Sequence, residues 1–423
     1  MQELFVGDII RSNMTTRRSQ SLAVNARASL GTVLNPFPSV LKDGNTVAFF
    51  DAFDLTTITK NGSNVVSRVN DKLLSGHDLT SGSCVWSETN GLTFDGVAHY
   101  LKSAGFTLNQ PETIYMFLKQ PTWKSNGHII DGNAHGSGMI IQGGTTAVLQ
   151  SYAGALLSGF PDLQLDAWGI LRNIFNGASS TQQINERTAK TGNTGTGNMG
   201  GITLGRYADA ALQYGNYYVK EIIIRKTADD DATQTIIYDY LRKKYAETVL
   251  VIGDSNTGQS PQWAEYYPIG WVGGKTPLTL NNAKVGCTIV NIDSNNVTHP
   301  YMAYQVQQAT NYRLDRIIIM LGTNDGLSAN VGIEYAANIA QLKADHPTAI
   351  INCISILPYQ SGDETVRDTN NAILQPIAEG LGCTWWDNTN WVNRDATDFV
   401  DSRHLSVTGQ LKFAAEVRSR LNV

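Results

Sequence analysis

Cysteine is scarce in this chain of 423 residues: Cys84, Cys287, Cys353 and Cys383 are the whole set. No two of them form a CxxC pair, and Cys353 and Cys383 sit in apolar runs, so buried free thiols are expected rather than a disulfide frame. Histidine is scarce too, at seven residues, with no HxH and no HExxH, which argues against a metal hydrolase. No metal or organic cofactor is expected. No segment approaches the roughly 20 apolar residues of a membrane span. The first residues, MQELFVGDIIRSNMTTRRSQ, lack an apolar stretch behind a basic start, so no leader peptide is expected. Charge is thin as well: 16% of residues are charged, with a net charge of −5. That balance offers no electrostatic grip on nucleic acid or anionic lipid, so neither is expected as a partner. A neutral, sugar-like partner fits better.

What the chain does have is apolar material for sizeable cores, at 42% of residues, and 39 glycines. Its length suggests two or three domains. The first half is rich in Asn, Ser and Thr, a mixture typical of short strands joined by polar turns, more in the style of extracellular or virion proteins than of cytosolic ones.

Three regions follow from the patterning. Residues 1–40, with Arg17, Arg18, Pro36 and Pro38, show no periodicity and are expected to form an arm or linker. Residues 41–246 give strand after strand: TVAFFDAF (46–53), GLTFDGVAHYL (91–101), ETIYMFLKQ (112–120), HIIDG (128–132), GMIIQG (138–143) and YYVKEIIIRK (217–226). Turn chemistry fills the gaps, including Asn-Gly at 61–62, 90–91 and 176–177, and the runs alternate as an all-β sandwich requires. One helix, over 230–247, closes this region, with Ile236, Ile237, Tyr240 and Leu241 on one face. In residues 247–423 the grammar changes to strands (248–253, 316–321, 349–356, 383–386) alternating with helices (331–346, 366–382, 407–421). Ser406 is the natural N-cap of the last helix. Apolar strands alternating with helices predict a three-layer α/β domain with a doubly wound parallel sheet, whose ligands sit beyond the carboxyl ends of the strands.

Three short elements lie at that edge. VLVIGDSN places Ser255 just after the first strand, and IIIMLGTNDG places Gly322, Asn324 and Asp325 just after another. DSRHLS puts Asp401 and His404 three residues apart before the last helix. Acyl transfer needs a hydroxyl nucleophile, an imidazole to take its proton, a carboxylate to hold the imidazole, and fixed donors for the oxyanion. Ser255, His404 and Asp401 can fill the first three roles. The Ser255 backbone N–H and the Asn324 amide can supply donors, whereas Asp254 and Asp325 are expected to order loops. Each motif alone has an ordinary reading, as a turn, an Asx cap or a surface ion pair. Their conjunction and order favour chemistry.

Gly253-Asp254-Ser255, Gly322-Thr323-Asn324-Asp325 and Asp401-x-x-His404 resemble the first, third and last blocks of the SGNH (GDSL-type) hydrolases. Asn256 replaces the Leu of the GDSL form. The second block is the weakest match: the resemblance implies an oxyanion glycine at Gly286, in KVGCTIV, with Gly273 or Gly274 as alternatives. The α/β-hydrolase elbow G-x-S-x-G fits less well, because Thr257 occupies the position of its second glycine. Residues 45–245 resemble laminin-G-like or concanavalin-A-like jelly-roll sandwiches through GLTFDGVAHYL, ITLGRY (202–207) and YYVKEIIIRK with the helix ending YLRKKY (240–245). Such modules bind carbohydrate or act as spacers. Trp86, Trp123 and Trp168 could stack on sugar rings, although burial is the commoner fate of tryptophan.

The resemblances imply a polysaccharide O-acetylesterase in a phage tail or tailspike-type protein, extracellular or virion-associated, with a trimer as one expectation. A bacterial carbohydrate esterase with a carbohydrate-binding domain, or a virion receptor-binding protein whose esterase domain is vestigial, are the alternatives.

Overall fold

The computed structural model describes residues 38–145, 148–158, 163–258, 263–269, 271, 275–290, 301–310, 312–362 and 364–421. Most of the expected arm, including Arg17, Arg18 and Pro36, lies outside the described residues, as do Gly273 and Gly274. The arm's last residues are not loose. Ser39–Lys42 forms a short 3-10 turn that buries Leu41, and the buried Arg225 guanidinium donates to the Val40 carbonyl at 2.7 Å.

The first unit is antiparallel. Its sixteen strands form one continuous hydrogen-bonded sheet rather than two separate ones. Strand Glu112–Lys119 is paired along both edges, between Trp168–Phe175 and Asn216–Arg225. Alternation decides which way its side chains go. Ile114, Met116 and Leu118 join Ile130, Ile140, Leu149 and Leu171 in the interior, while Tyr115 and Phe117 face the helix Asp231–Tyr245 on the other side. Strand Leu79–Ser87 joins the two halves of the sheet. Its C-terminal part pairs with Gly91–Asp95 and its N-terminal part with Tyr100–Ser103, with a register shift between Leu79 and Ser81. A strand that carries a bulge and changes partners farther along its length turns a sheet over on itself, which is how one sheet encloses a core here. The run 91–101 is therefore two strands and not one, broken where the Asp95 carboxylate accepts the N–H groups of Val97, Ala98 and His99.

Helix Asp231–Tyr245 is capped by Asp230, whose carboxylate accepts the Thr233 N–H at 2.8 Å. It buries Ile237, Tyr238, Tyr240, Leu241 and Tyr245, but Ile236, expected on that face, is exposed. The helix runs directly into the first parallel strand, Ala246–Gly253, and Ala246 and Leu278 share its apolar cluster. Arg242 pairs with Asp315, which also accepts the Thr248 N–H. The two units are thus packed through this helix.

The second unit is a five-stranded parallel sheet. In chain order its strands are Ala246–Gly253, Thr276–Asn281, Arg316–Met320, Ile350–Ile354 and Thr384–Trp386, and they lie in space second, first, third, fourth, fifth. Helices Met302–Ala309, Val331–Asp345 and Thr365–Gly380 cover one face through Leu250, Ile252, Ile317 and Ile319. Trp263 and helix Val407–Leu421 cover the other through Val249, Val251, Ile318 and Met320. This is a three-layer α/β arrangement. Sequence reading missed the strand Thr276–Asn281, which lies at the sheet edge, where Pro277 is tolerated. No helix among the described residues is long and apolar enough to cross a membrane.

One buried group sets a pH dependence. Glu112 is fully buried, neither carboxyl oxygen has a hydrogen-bond partner among the described residues, and burial pushes its pKa up to about 9. The folded chain therefore keeps this proton where the unfolded chain has lost it. Between about pH 4.5 and 9 its contribution to stability falls as pH rises, by up to about 1.4 kcal/mol per unit. Glu112→Gln should gain on the parent chain steadily across that window in urea melts. A difference that does not change with pH would contradict this.

Candidate active site

Strand Ala246–Gly253 is the topological switch point, because the chain leaves it first to one side and then crosses to the other. A crevice opens at the carboxyl edge between such a strand and its later neighbour. Gly253 is level with Met320 in the register, so the segments carrying Ser255 and Asn324 leave adjacent strands at this crevice. The turn after Gly253 is tight: a Cβ there would lie 2.5 Å from Thr257 Oγ1. The residues Ser255–Gly258 then form one helical turn. The Ser255 N–H is at its first position, where an amide has no acceptor within the helix.

Ser255 is buried, and its Oγ lies 3.0 Å from His404 Nε2. His404 Nδ1 in turn lies 2.8 Å from Asp401 Oδ2. The other oxygen, Asp401 Oδ1, accepts the backbone N–H groups of Arg403 and His404, both at 2.8 Å. Burial pulls the Asp401 carboxyl upward, but these hydrogen bonds and the imidazole outweigh it and hold the carboxyl below its ordinary range. An ionised Asp401 fixes the His404 proton on Nδ1 and leaves the Nε2 lone pair for the serine hydroxyl. The loop bearing the pair is itself clamped. Val400 N–H donates to the His404 carbonyl at 2.9 Å, and Ser406 caps the last helix by accepting the Gly409 N–H at 3.2 Å.

The structure thus brings together Ser255, His404 and Asp401. The two further donors assigned from sequence meet at a second junction. Asn324 is exposed and donates from Nδ2 to the Cys287 carbonyl at 3.1 Å, which leaves the amide its second N–H. Gly286 is the neighbour of Cys287 in a turn, with φ +73°, a conformation that favours glycine. Asp254 and Asp325 order loops. Asp254 accepts the Asn256 N–H at 3.0 Å, and burial raises its pKa to about 6. Asp325 accepts the Ile289 N–H at 2.8 Å and the Val290 N–H at 2.9 Å, and so ties the segment after Gly286 to the Asn324 loop.

Two positioning residues escaped the sequence reading. Gln305, almost fully buried on helix Met302–Ala309, accepts the Gly253 N–H at 3.1 Å and donates to the Gly253 carbonyl and to Cys287 Sγ. It locks the serine turn to the Gly286 segment. Its signal was a glutamine in the apolar stripe Met302, Gln305, Val306, Ala309. Asn370 donates to the Gly322 and Gly326 carbonyls, at 3.2 and 3.0 Å, and braces the Asn324 loop from helix Thr365–Gly380.

The tryptophans of the first unit are mostly structural. Trp86 is buried with its N–H on the Ala52 carbonyl, and Trp168 is buried against Phe117, while Trp123 is half-buried. Trp168 also lines a cleft of about 540 Å³ between the two units, with Glu186, Leu278 and Asn281, a space that includes none of Ser255, Asn324 or His404.

No protein-family signature matches the sequence, and no curated protein matches it. Among solved structures, a carbohydrate acetylesterase from Sinorhizobium meliloti is similar at 17% identity and TM-score 0.33, over 41% of this chain and 98% of that one. A lipase/acylhydrolase from Enterococcus faecalis is similar at 15% identity and TM-score 0.33, over 42% of this chain and 95% of that one. A GH54 α-L-arabinofuranosidase is similar at 11% identity and TM-score 0.38, over 48% of this chain and 64% of that one. Likenesses this low leave the chemistry to be read from the residues themselves.

Asp325→Ala strands two buried N–H groups and should lower stability by about 2–4 kcal/mol, read from chemical denaturation. Asp325→Asn keeps an Oδ1 that can accept both N–H groups and should recover at least half of that loss. An unchanged midpoint in the alanine variant would remove the loop-tying role.

Proposed function

We propose that this chain is a serine esterase that removes O-acetyl or similar acyl groups from a polysaccharide. The observation that carries the reading is the Ser255–His404–Asp401 relay, in which a 3.0 Å hydrogen bond joins segments 149 residues apart and a 2.8 Å one orients the imidazole. In the reaction, Ser255 Oγ attacks the ester carbonyl carbon as His404 Nε2 takes its proton. The tetrahedral oxyanion is held by the N–H groups of Ser255 and Gly286 and by the Asn324 amide. Collapse breaks the bond to the sugar oxygen, which leaves with the proton from His404. Water, deprotonated by the same imidazole, then attacks the acyl-enzyme and releases the carboxylic acid and free Ser255. Asp401 stays ionised throughout and stabilises the imidazolium.

The glycan part of the reading is supported by composition, a chain with few charges and many polar turn residues. In the same proposal the antiparallel unit, of laminin-G or concanavalin-A jelly-roll type, presents the polymer. The whole is a phage tail or tailspike-type component, extracellular or virion-associated, working as a homotrimer.

Ser255→Ala should abolish hydrolysis of a small acetyl ester. Asn324→Ala should lower kcat by about 10²–10³, equivalent to about 2.7–4 kcal/mol. Full activity in the serine variant would overturn the nucleophile assignment. Acetate release from a panel of acetylated polysaccharides tests the substrate separately. Turnover of the small ester with no release from any polymer would retain the esterase and remove the glycan, and binding of polymer with no turnover of either would favour a vestigial receptor-binding protein.

A further inference from the structure

The antiparallel unit holds a second constellation that the esterase reading does not use. His128 and Asp131 bound one short strand and His135 follows in the next loop, a spacing of H-x-x-D-x-x-x-H that is neither HxH nor HExxH. In a regular strand, residues three apart point to opposite faces. Here a register shift between His128 and Ile130 alters that alternation. One ligand atom from each of His128, Asp131 and His135 lies within 4.8 Å of the others.

The hydrogen bonding around the three is incomplete in a telling way. His128 is 1% exposed, and its Nδ1 lies 3.1 Å from the Asn126 carbonyl, which places the proton on Nδ1 and leaves a lone pair on Nε2. That buried Nε2 has no hydrogen-bond partner among the described residues, and neither has the buried Nδ1 of His135, which sits 3.4 Å from Asp131 Oδ2. Asp131 is fully buried. Its oxygens accept the N–H groups of Gly132 at 2.9 Å and Ala208 at 3.1 Å, and each retains a lone pair. The His135 ring is stacked on Tyr207, with centroids 3.5 Å apart, and its backbone N–H donates to Asp209 at 2.8 Å. Burying ring nitrogens without partners is costly, and a cation between them and the carboxylate removes that cost.

We propose that His128 Nε2, Asp131 and His135 Nδ1 bind one divalent transition-metal ion of the zinc class. Two imidazole nitrogens and one carboxylate suit zinc or cobalt(II), whereas calcium and magnesium take oxygen ligands. Ligands about 2.0–2.2 Å from a tetrahedral ion sit roughly 3.4 Å apart, the distance already held by His135 and Asp131, so the widest gap closes by at most about 1.4 Å. The supporting shell is in place: a backbone carbonyl on the far nitrogen of His128, and backbone amides on the carboxylate. Three protein ligands leave the fourth position to water. The cluster also meets the loop that carries Tyr207 and Ala208, through the Ala208 N–H on Asp131 and the Tyr207 ring on His135, and Lys102 bridges the same two segments by donating to the Asn133 and Ala208 carbonyls.

The test is a cobalt(II) titration of the full chain after chelator treatment, read by visible absorption and calorimetry. One ion per chain with a visible d–d band is expected. His135→Ala, at a half-exposed position, should weaken binding by at least about 100-fold, because loss of outer-shell partners alone costs about 10–100-fold. His128→Gln should do the same, and His99→Ala, outside the cluster, should bind as the parent does. No binding by the parent chain, or undiminished binding by both cluster variants, would overturn the assignment.

Discussion

The hydrogen bond between Ser255 Oγ and His404 Nε2 joins residues 149 apart in the chain, and the site exists only while that contact holds. Neither partner could hold it alone. The serine is fixed by the strand end, the tight turn at Gly253 and the Gln305 amide that grips both backbone groups of that glycine. The imidazole is fixed by Asp401 and by the clamped loop that leads into the last helix. Packing behind both keeps them in register: Trp263 and Phe413 share one apolar cluster with Val249 and Val251, so the last helix and the first strand cannot drift apart without opening a core.

The same logic covers the side of the crevice that carries Asn324 and Gly286, the proposed oxyanion donors. Donors are useful to an anion only when they are already aimed and cost nothing to reorganise. Asp325 and Gln305 both reach into the segment after Lys284, one through the Ile289 and Val290 amides and one through Cys287 Sγ, while Asn324 holds the Cys287 carbonyl. Three side chains from two elements, the loop after Met320 and the helix Met302–Ala309, thus pin the stretch that carries Gly286. Buried polar groups in an otherwise apolar layer demand partners, and here the partners are the backbone of the site itself.

How much of this was legible in sequence depended on distance along the chain. Ser255, Asn324, Asp401 and His404 announced themselves because each sits in a short turn motif next to an apolar strand or a helix entry, a purely local signal. The alternation of strand and helix after residue 247 was equally local, and the helices 331–345 and 407–421 were found nearly to the residue. What stayed hidden was tertiary. Gln305 and Asn370 matter through contacts 52 and 48 residues away. The edge strand Thr276–Asn281 carries a proline that reads as a break until its place at the rim of the sheet is known. In the first unit, local patterning found several strands but missed that Leu79–Ser87 changes partners and makes one sheet of two halves. The His128–Asp131–His135 cluster was invisible because a bulge, which sequence spacing does not reveal, re-aims the strand.

Activation of a Ser255 nucleophile by His404 leaves a chemical signature of its own. Peptide mapping by mass spectrometry after exposure to a fluorophosphonate addresses it most directly. A single covalent adduct on Ser255 is expected, formed quickly by the parent chain and far more slowly when His404 is replaced by alanine. An adduct at another residue, or labelling of Ser255 at the same rate without the imidazole, would contradict it.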